Sequence, residues 1–149
     1  MEDLRLLLSR SHRTASRHYR AQLAKYELSA SQATAILFLN QRRGSTLREL
    51  SDALGSDLAT ASALVDRLMS GGWIRRETDP DDRRRARLLL SDKAVELLEP
   101  IAEATRQTNE LVVEALGQEQ AAELATILTR LLERMSEIST SSKKDAGEA

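Results

Sequence analysis

Four arginines, Arg83, Arg84, Arg85 and Arg87, crowd together directly after Asp79-Pro80-Asp81-Asp82. Such a run repels itself unless an anion lies against it, and a narrow minor groove attracts guanidinium groups strongly. Asp82, two residues before Arg84, is placed to brace that side chain through a charged hydrogen bond. A solvated surface run is the plainer alternative. Upstream, Ala59, Thr60, Ser62 and Ala63 are short residues lying off the apolar stripe Leu58, Ala61, Val65 and Leu68. A helix that lies against base edges needs short side chains in its first turns and a buried face to hold it there. Thr60 and Ser62 can bond phosphates or bases, and Arg67 can reach the backbone. A small-residue helix chosen for close packing suits the same segment equally well, so this stretch decides little alone. Thr46, at the start of the preceding helix, completes the candidate DNA-binding set.

Other chemistry is poorly provided for. The two histidines, His12 and His18, are six residues apart, which is about 240° around a helix and therefore on different faces. The sequence contains no cysteine, so a disulfide framework, a thiolate zinc site and a thiol redox switch are all excluded. With no nucleophile, base or metal constellation, neither an enzyme nor a cofactor is expected.

The elements that must position the basic residues can be read from capping signals and periodicity. Leu4, Leu8, Ala15, Tyr19 and Leu23 recur at roughly helical spacing, with Arg5, Arg10, Arg13, Arg17 and Arg20 between them, and predict a helix over 4–26. Ser29 with Gln32, and Thr46 with Glu49, are capping boxes that begin a second and a third helix. The third ends near Gly55, and Ser56 or Asp57 caps a fourth that stops at Gly71-Gly72. Two short helices joined through Leu54-Gly55-Ser56 form a helix-turn-helix. Trp73–Thr78 and Arg85–Leu90 suit strands, with Asp79-Pro80-Asp81-Asp82 as the turn of a charged β-hairpin. A fifth helix is predicted from Ser91 to about Leu116, bent at Pro100. After Gly117, Ala121, Leu124, Leu128, Leu131, Met135 and Ile138 form a heptad seam on a sixth helix of about 21 residues. From Ser139 to Ala149 polar residues replace the apolar ones, and this tail is expected to be disordered.

Composition agrees with that layout. With 149 residues and only 3% aromatics, one mostly α domain is expected. The net charge of −1 conceals an asymmetry. Lys plus Arg exceed Asp plus Glu by three in residues 1–39 and by two in 40–90, and fall six short in 91–149. Phosphate affinity follows local cation density, so the acidic last third is expected to face away from nucleic acid. No apolar run approaches the roughly 18 residues of a membrane span, and the acidic start is unlike a signal peptide, so a soluble, cytoplasmic protein with no membrane partner is expected.

The segments LSASQATAILFL and STLRELSDALGSDLATASALVDRLMSGGWIRRETDPDDRRRARLLLS resemble the MarR family of bacterial winged-helix regulators over about Leu28 to Ser91. LVDRL followed by GGWI, and then DPDDRR before the strand ending in Leu90-Ser91, carry most of the resemblance. It implies a mostly α fold with a small β-hairpin wing, in which a winged helix-turn-helix over 29–91 is flanked by dimerisation helices over 1–28 and 92–138. The family's Asp-x-Arg wing element falls on Asp82 and Arg84, and its groove-reading helix on 58–70. The DNA-binding candidates are thus Thr46, Ala59, Thr60, Ser62, Ala63, Arg67, Asp82, Arg83, Arg84 and Arg85, and the dimerisation candidates Leu4, Leu8, Leu124, Leu128, Leu131 and Met135. Two departures stand out. Ala63 occupies a position where many members carry a longer polar or basic residue, and Lys93-Ala94 replaces the usual glycine after the wing. The resemblance also implies a small phenolic or anionic effector, for which Arg17, His18, Tyr19 and Tyr26 are the candidates. The expected function is a ligand-responsive repressor that binds palindromic duplex DNA as a homodimer. The rival is a helical dimeric partner-binding protein with no DNA role, and the arginine-tipped hairpin, useless to such a protein, discriminates against it.

Overall fold

The computed structural model describes residues 3–145, with side chains as far as Ile138. Seven helices and two strands follow one another among these residues: α1 Leu4–Ala24, α2 Ala30–Gln41, α3 Leu47–Leu54, α4 Leu58–Ser70, β1 Ile74–Thr78, β2 Ala86–Leu90, α5 Asp92–Val95, α6 Leu98–Leu116 and α7 Gln118–Asp145. The chain divides into two compact units, Met1–Thr108 and Asn109–Ala149, and α6 runs from the first into the second.

Local hydrogen bonding explains most of the helix starts. Ser29 and Gln32, and Thr46 and Glu49, form both reciprocal bonds of a capping box, so the first free N–H groups of α2 and α3 have partners. Of the two possible caps for α4, Asp57 serves, accepting the Thr60 N–H at 2.7 Å. Between α3 and α4, Gly55 adopts φ +60, a left-handed conformation that closes a helix without a Cβ penalty. The buried Ser51 hydroxyl donates to the Ser56 carbonyl at 2.7 Å and fastens that turn from inside.

Each helix of the first unit turns an apolar face to one core. Leu23, Ile36, Leu39, Leu50, Val65, Leu68, Leu88 and Ile101 are almost completely buried there, and each such side chain contributes about 1.5–3 kcal/mol of apolar transfer. Tyr19, Tyr26, Leu37 and Phe38 pack against the cluster from its edge. The strands pair antiparallel with Ile74 opposite Leu90 and Thr78 opposite Ala86. The α2–α3 turn joins the hairpin, because the Leu88 N–H donates to the Ser45 carbonyl at 2.8 Å.

Several expectations are corrected. The first helix stops at Ala24, and Glu27 takes φ +57 in the turn that carries Tyr26. The fifth helix is interrupted rather than bent. Pro100 has no N–H to donate to Glu96, so α5 ends at Val95 and α6 starts at Leu98, with Pro100 in its first turn where a missing donor costs nothing. Leu23 and Leu28 of the segment assigned to dimerisation, and Ala94, Ile101 and Ala104 beyond the wing, belong to the core of the first unit. The last helix does not stop at Ser139, where a disordered tail was expected, but continues to Asp145. Extending a formed helix is far easier than nucleating one, and no Gly or Pro intervenes before Gly147. The remainder of that tail, 146–149, lies outside the described residues.

Within Asn109–Ala149, no described side chain is buried. Leu124, Ile127, Leu132, Met135 and Ile138 are exposed, and Leu128 and Leu131 are half-buried. In the first unit, Leu4, Leu6, Leu7 and Leu8 of α1 are likewise exposed.

Candidate nucleic-acid interface

The arginines of the hairpin divide into those engaged with carboxylates and those that are not. Arg87, near the loop end of β2, donates from Nε to Asp79 Oδ2 at 2.8 Å and from Nη2 to Asp79 Oδ1 at 3.0 Å, a two-point pair. Asp81 lies 3.8 Å from the same guanidinium. Asp79, only 8% exposed, also accepts the Asp81 N–H. The Arg87 bond, followed by the one from the Asp81 backbone, holds its carboxyl below the usual carboxylate range. Asp79 in turn raises the pKa of Arg87.

At the tip, the structure alters the part given to Asp82. Its Oδ1 accepts the backbone N–H of Arg84 at 3.0 Å, and its other oxygen lies 3.9 Å from Arg85 Nε. Asp82 therefore shapes the turn on which Arg84 sits, instead of holding the Arg84 guanidinium as expected. The reason is local: a carboxylate two residues ahead of an N–H closes a short ring with the backbone more readily than it reaches a long side chain. Arg83 and Arg84 are exposed and have no carboxylate partner among the described residues. A backbone bond from Asp79 N–H to Arg85 O at 2.9 Å closes the loop beneath them.

Helix α4 buries Ala61, Leu64, Val65 and Leu68 and turns Ala59, Thr60, Ala63 and Arg67 outward, with Ser62 half-buried at the edge. The Thr60 hydroxyl is directed to Asp57, and the Thr60 N–H is the leading cause of that carboxyl's lowered pKa. Thr46 is occupied in the same way: its hydroxyl donates to Glu49 at 2.9 Å and accepts the Glu49 N–H at 3.3 Å. Thr46 holds the start of α3.

Residues that sequence reasoning did not assign also shape this surface. The backbone N–H groups of Gly71, Trp73 and Gly72 serve the Arg67, Leu68 and Met69 carbonyls at the end of α4, and two side chains following β2 serve the Gly71 and Gly72 carbonyls just beyond it. Lys93 Nζ donates to the Gly71 carbonyl at 2.8 Å, and Ser91 Oγ to the Gly72 carbonyl at 2.7 Å. The Lys93 ammonium also lies 5.2 Å from the centre of the Trp73 ring, favourable both for the ring and for the helix dipole. The only signal in the sequence was that Lys93 stood where a glycine was expected. Arg42, Arg43 and Arg48 are exposed beside the helix-turn-helix, and a pair of arginines before Gly44 was the available signal for the first two.

The effector candidates have different surroundings. Tyr19 and Tyr26 pack against the core, with Lys25 5.4 Å from the Tyr26 ring, while Arg17 is exposed. His18 Nε2 is buried without a hydrogen-bond partner. Among the described residues, no group of three or more His, Asp or Glu is arranged to hold a metal ion, and no helix is long and apolar enough to cross a membrane.

Comparison with known proteins gives this geometry its context. The sequence profile of the MarR family matches residues 26–85, which hold the helix-turn-helix and the hairpin tip. The transcriptional regulator TtmR of Methylorubrum extorquens is 35% identical over 77 residues, 52% of this chain but only 40% of TtmR. The transcriptional repressor NicR of Pseudomonas putida is 24% identical over 89% of this chain and 84% of its own. In fold, the chain resembles the S. aureus MepR–DNA complex with a TM-score of 0.81 at 20% identity, covering 90% of this chain and 99% of that one. A matched helix-turn-helix, a hairpin with an Asp-x-Arg tip and the shared fold agree: over residues 26–85 the chain is similar to the MarR family, and its fold is that of solved MarR-type regulators.

Proposed function

We propose that the chain represses transcription by binding a palindromic operator as a homodimer, with α4 in the major groove and the hairpin tip in the minor groove. One observation carries the reading. The base of the tip loop is locked by the Arg87–Asp79 pair, whereas Arg83 and Arg84 at the tip are exposed with no carboxylate partner among the described residues. A rigid ribbon ending in unneutralised guanidinium groups suits the negative potential of a narrow minor groove. Residues 29–91 form the DNA-binding part on this reading.

The uncovered leucines support a dimer built from 1–28 and 92–138. Leu4, Leu8, Leu124 and Met135 are exposed, and Leu128 and Leu131 half-covered, in the single chain. A two-fold interface would cover such faces and place both recognition helices on one side of a duplex, with half-sites about one turn, ~10 bp, apart. An anionic or phenolic effector near Arg17, His18, Tyr19 and Tyr26 would then regulate binding, in a cytoplasmic protein.

The test is a titration of the selected operator and of a scrambled duplex at several salt concentrations, with Arg84→Ala and Thr60→Ala beside the wild type. Arg84→Ala should weaken both duplexes and flatten log K against log salt by about 1.8, from two wings at about 0.9 each. Thr60→Ala should weaken the operator more than the scrambled duplex, because base-edge contacts carry the sequence information. An unchanged slope for Arg84→Ala would refute the wing assignment.

A further inference from the structure

The ten arginines between Arg42 and Arg87 separate by what they face. Arg75 pairs with Glu77, Arg76 with Asp66, and Arg87 with Asp79 and Asp81, while Arg85 lies at long range from Asp82. Arg42 and Arg43 have no carboxylate partner among the described residues and are exposed side by side in the turn between α2 and α3. Two adjacent exposed cations repel each other weakly in water, and an anion laid against them gains from both.

The turn is attached to the wing. Ser45 accepts the Leu88 N–H at 2.8 Å, and Gly44 packs so closely on the Arg87 stem that a Cβ there would come within 3.3 Å of Arg87 Cδ. Arg42, from the turn, and Arg85, from the hairpin, both act on the carboxyl of Glu49, which its bonds to Thr46 already hold below its usual pKa. Cations of two separate elements thus gather beside the start of α3. Glu49, bonded through one oxygen to the Thr46 N–H at 2.7 Å and the Thr46 hydroxyl at 2.9 Å, carries a single negative charge against Arg42, Arg43 and Arg85, so the cations remain in excess. Arg48, exposed on the first turn of α3, extends the patch.

We infer that Arg42 and Arg43 form a second phosphate-binding ridge, fixed to the wing through Ser45 and Leu88, which grips the duplex backbone beside the groove that the wing enters. The inference rests on the DNA-binding reading above. The partner is duplex DNA, recognised by its phosphates and not by its bases, so the ridge contributes to affinity on every sequence.

The experiment compares wild type, Arg42→Ala/Arg43→Ala and Arg42→Lys/Arg43→Lys on a selected operator and on a random-sequence duplex, across a salt series. It is combined with phosphate-ethylation interference on the operator. Two charges in each of two protomers should lower the salt slope of the alanine double variant by about 3.6. Affinity should fall on both duplexes by a similar factor, and the ethylation-sensitive phosphates assigned to the ridge should lose their effect. The lysine double variant should keep the slope. Both side chains are exposed, so all three proteins should melt together, which separates lost contact from lost fold. If the wild type binds DNA with a steep salt slope and the alanine variant keeps slope and ethylation pattern, the ridge is refuted while the DNA-binding reading stands. If the wild type binds no duplex at all, both are overturned.

Discussion

Gly71→Ala tests how α4 is joined to the hairpin. Gly71 has an ordinary helical φ of −76, so alanine is conformationally acceptable there. Space is what it lacks: a Cβ would lie 2.7 Å from Trp73 Cε3, 2.8 Å from Cζ3 and 3.1 Å from Cδ2. Carbon atoms settle at about 3.5–4.0 Å, so the indole must retreat by about 1 Å. Trp73 is only 9% exposed, and overpacking of this kind costs about 1–3 kcal/mol. For a chain of this size the melting temperature should fall by roughly 2–4 °C per kcal/mol. Gly72→Ala is the control, because it reverses the two conditions. No atom lies within 4 Å of its would-be Cβ, but its φ is +73. Its cost, about 1–2 kcal/mol, is backbone strain alone. Thermal unfolding does not separate the two variants cleanly, but fluorescence does, since Trp73 is the only tryptophan. Gly71→Ala should shift the emission, whereas Gly72→Ala should leave it unchanged in the folded state. Operator affinity should fall with Gly71→Ala, because the displaced ring also disturbs the Lys93 contact to the end of α4. Wild-type melting together with unchanged emission for Gly71→Ala would refute this account of the joint.

Three further outcomes are expected. Asp79→Asn should loosen the wing, read as faster amide exchange at Asp81 and Arg85 and weaker binding to all duplexes. Because the folded pKa of Asp79 lies below its ordinary 3.8, its stabilisation is complete above that pH and is lost as pH falls through the folded value, so the asparagine variant should lack this part of the acid-induced loss. Lys93→Met keeps the apolar stem but removes the bond to Gly71, and should cost about 1 kcal/mol or less while lowering operator affinity more than scrambled-duplex affinity, with Lys93→Arg restoring both. Leu128→Asp with Leu131→Asp should convert a sedimenting dimer to a monomer, and a well-folded wild-type monomer at micromolar concentration would overturn the dimer reading.

What the sequence determined by itself was the part governed by near neighbours. The capping boxes at Ser29–Gln32 and Thr46–Glu49, the Gly55 turn and the apolar period of α4 involve residues at most a few positions apart, and the structure contains them all. The short-range tip geometry was legible only in part, because Asp82 had two acceptable donors nearby and took the backbone one. Tertiary structure decided the pairs that the chain brings together from a distance: Arg87 with Asp79 across the hairpin, Lys93 with Gly71 22 residues away, and Ser45 with Leu88. These select which arginines are locked in the wing and which remain available to an anion. Composition and spacing count cations, but only the folded chain assigns each one its counter-charge, since the energy of an ion pair depends on a distance in space that sequence separation does not fix.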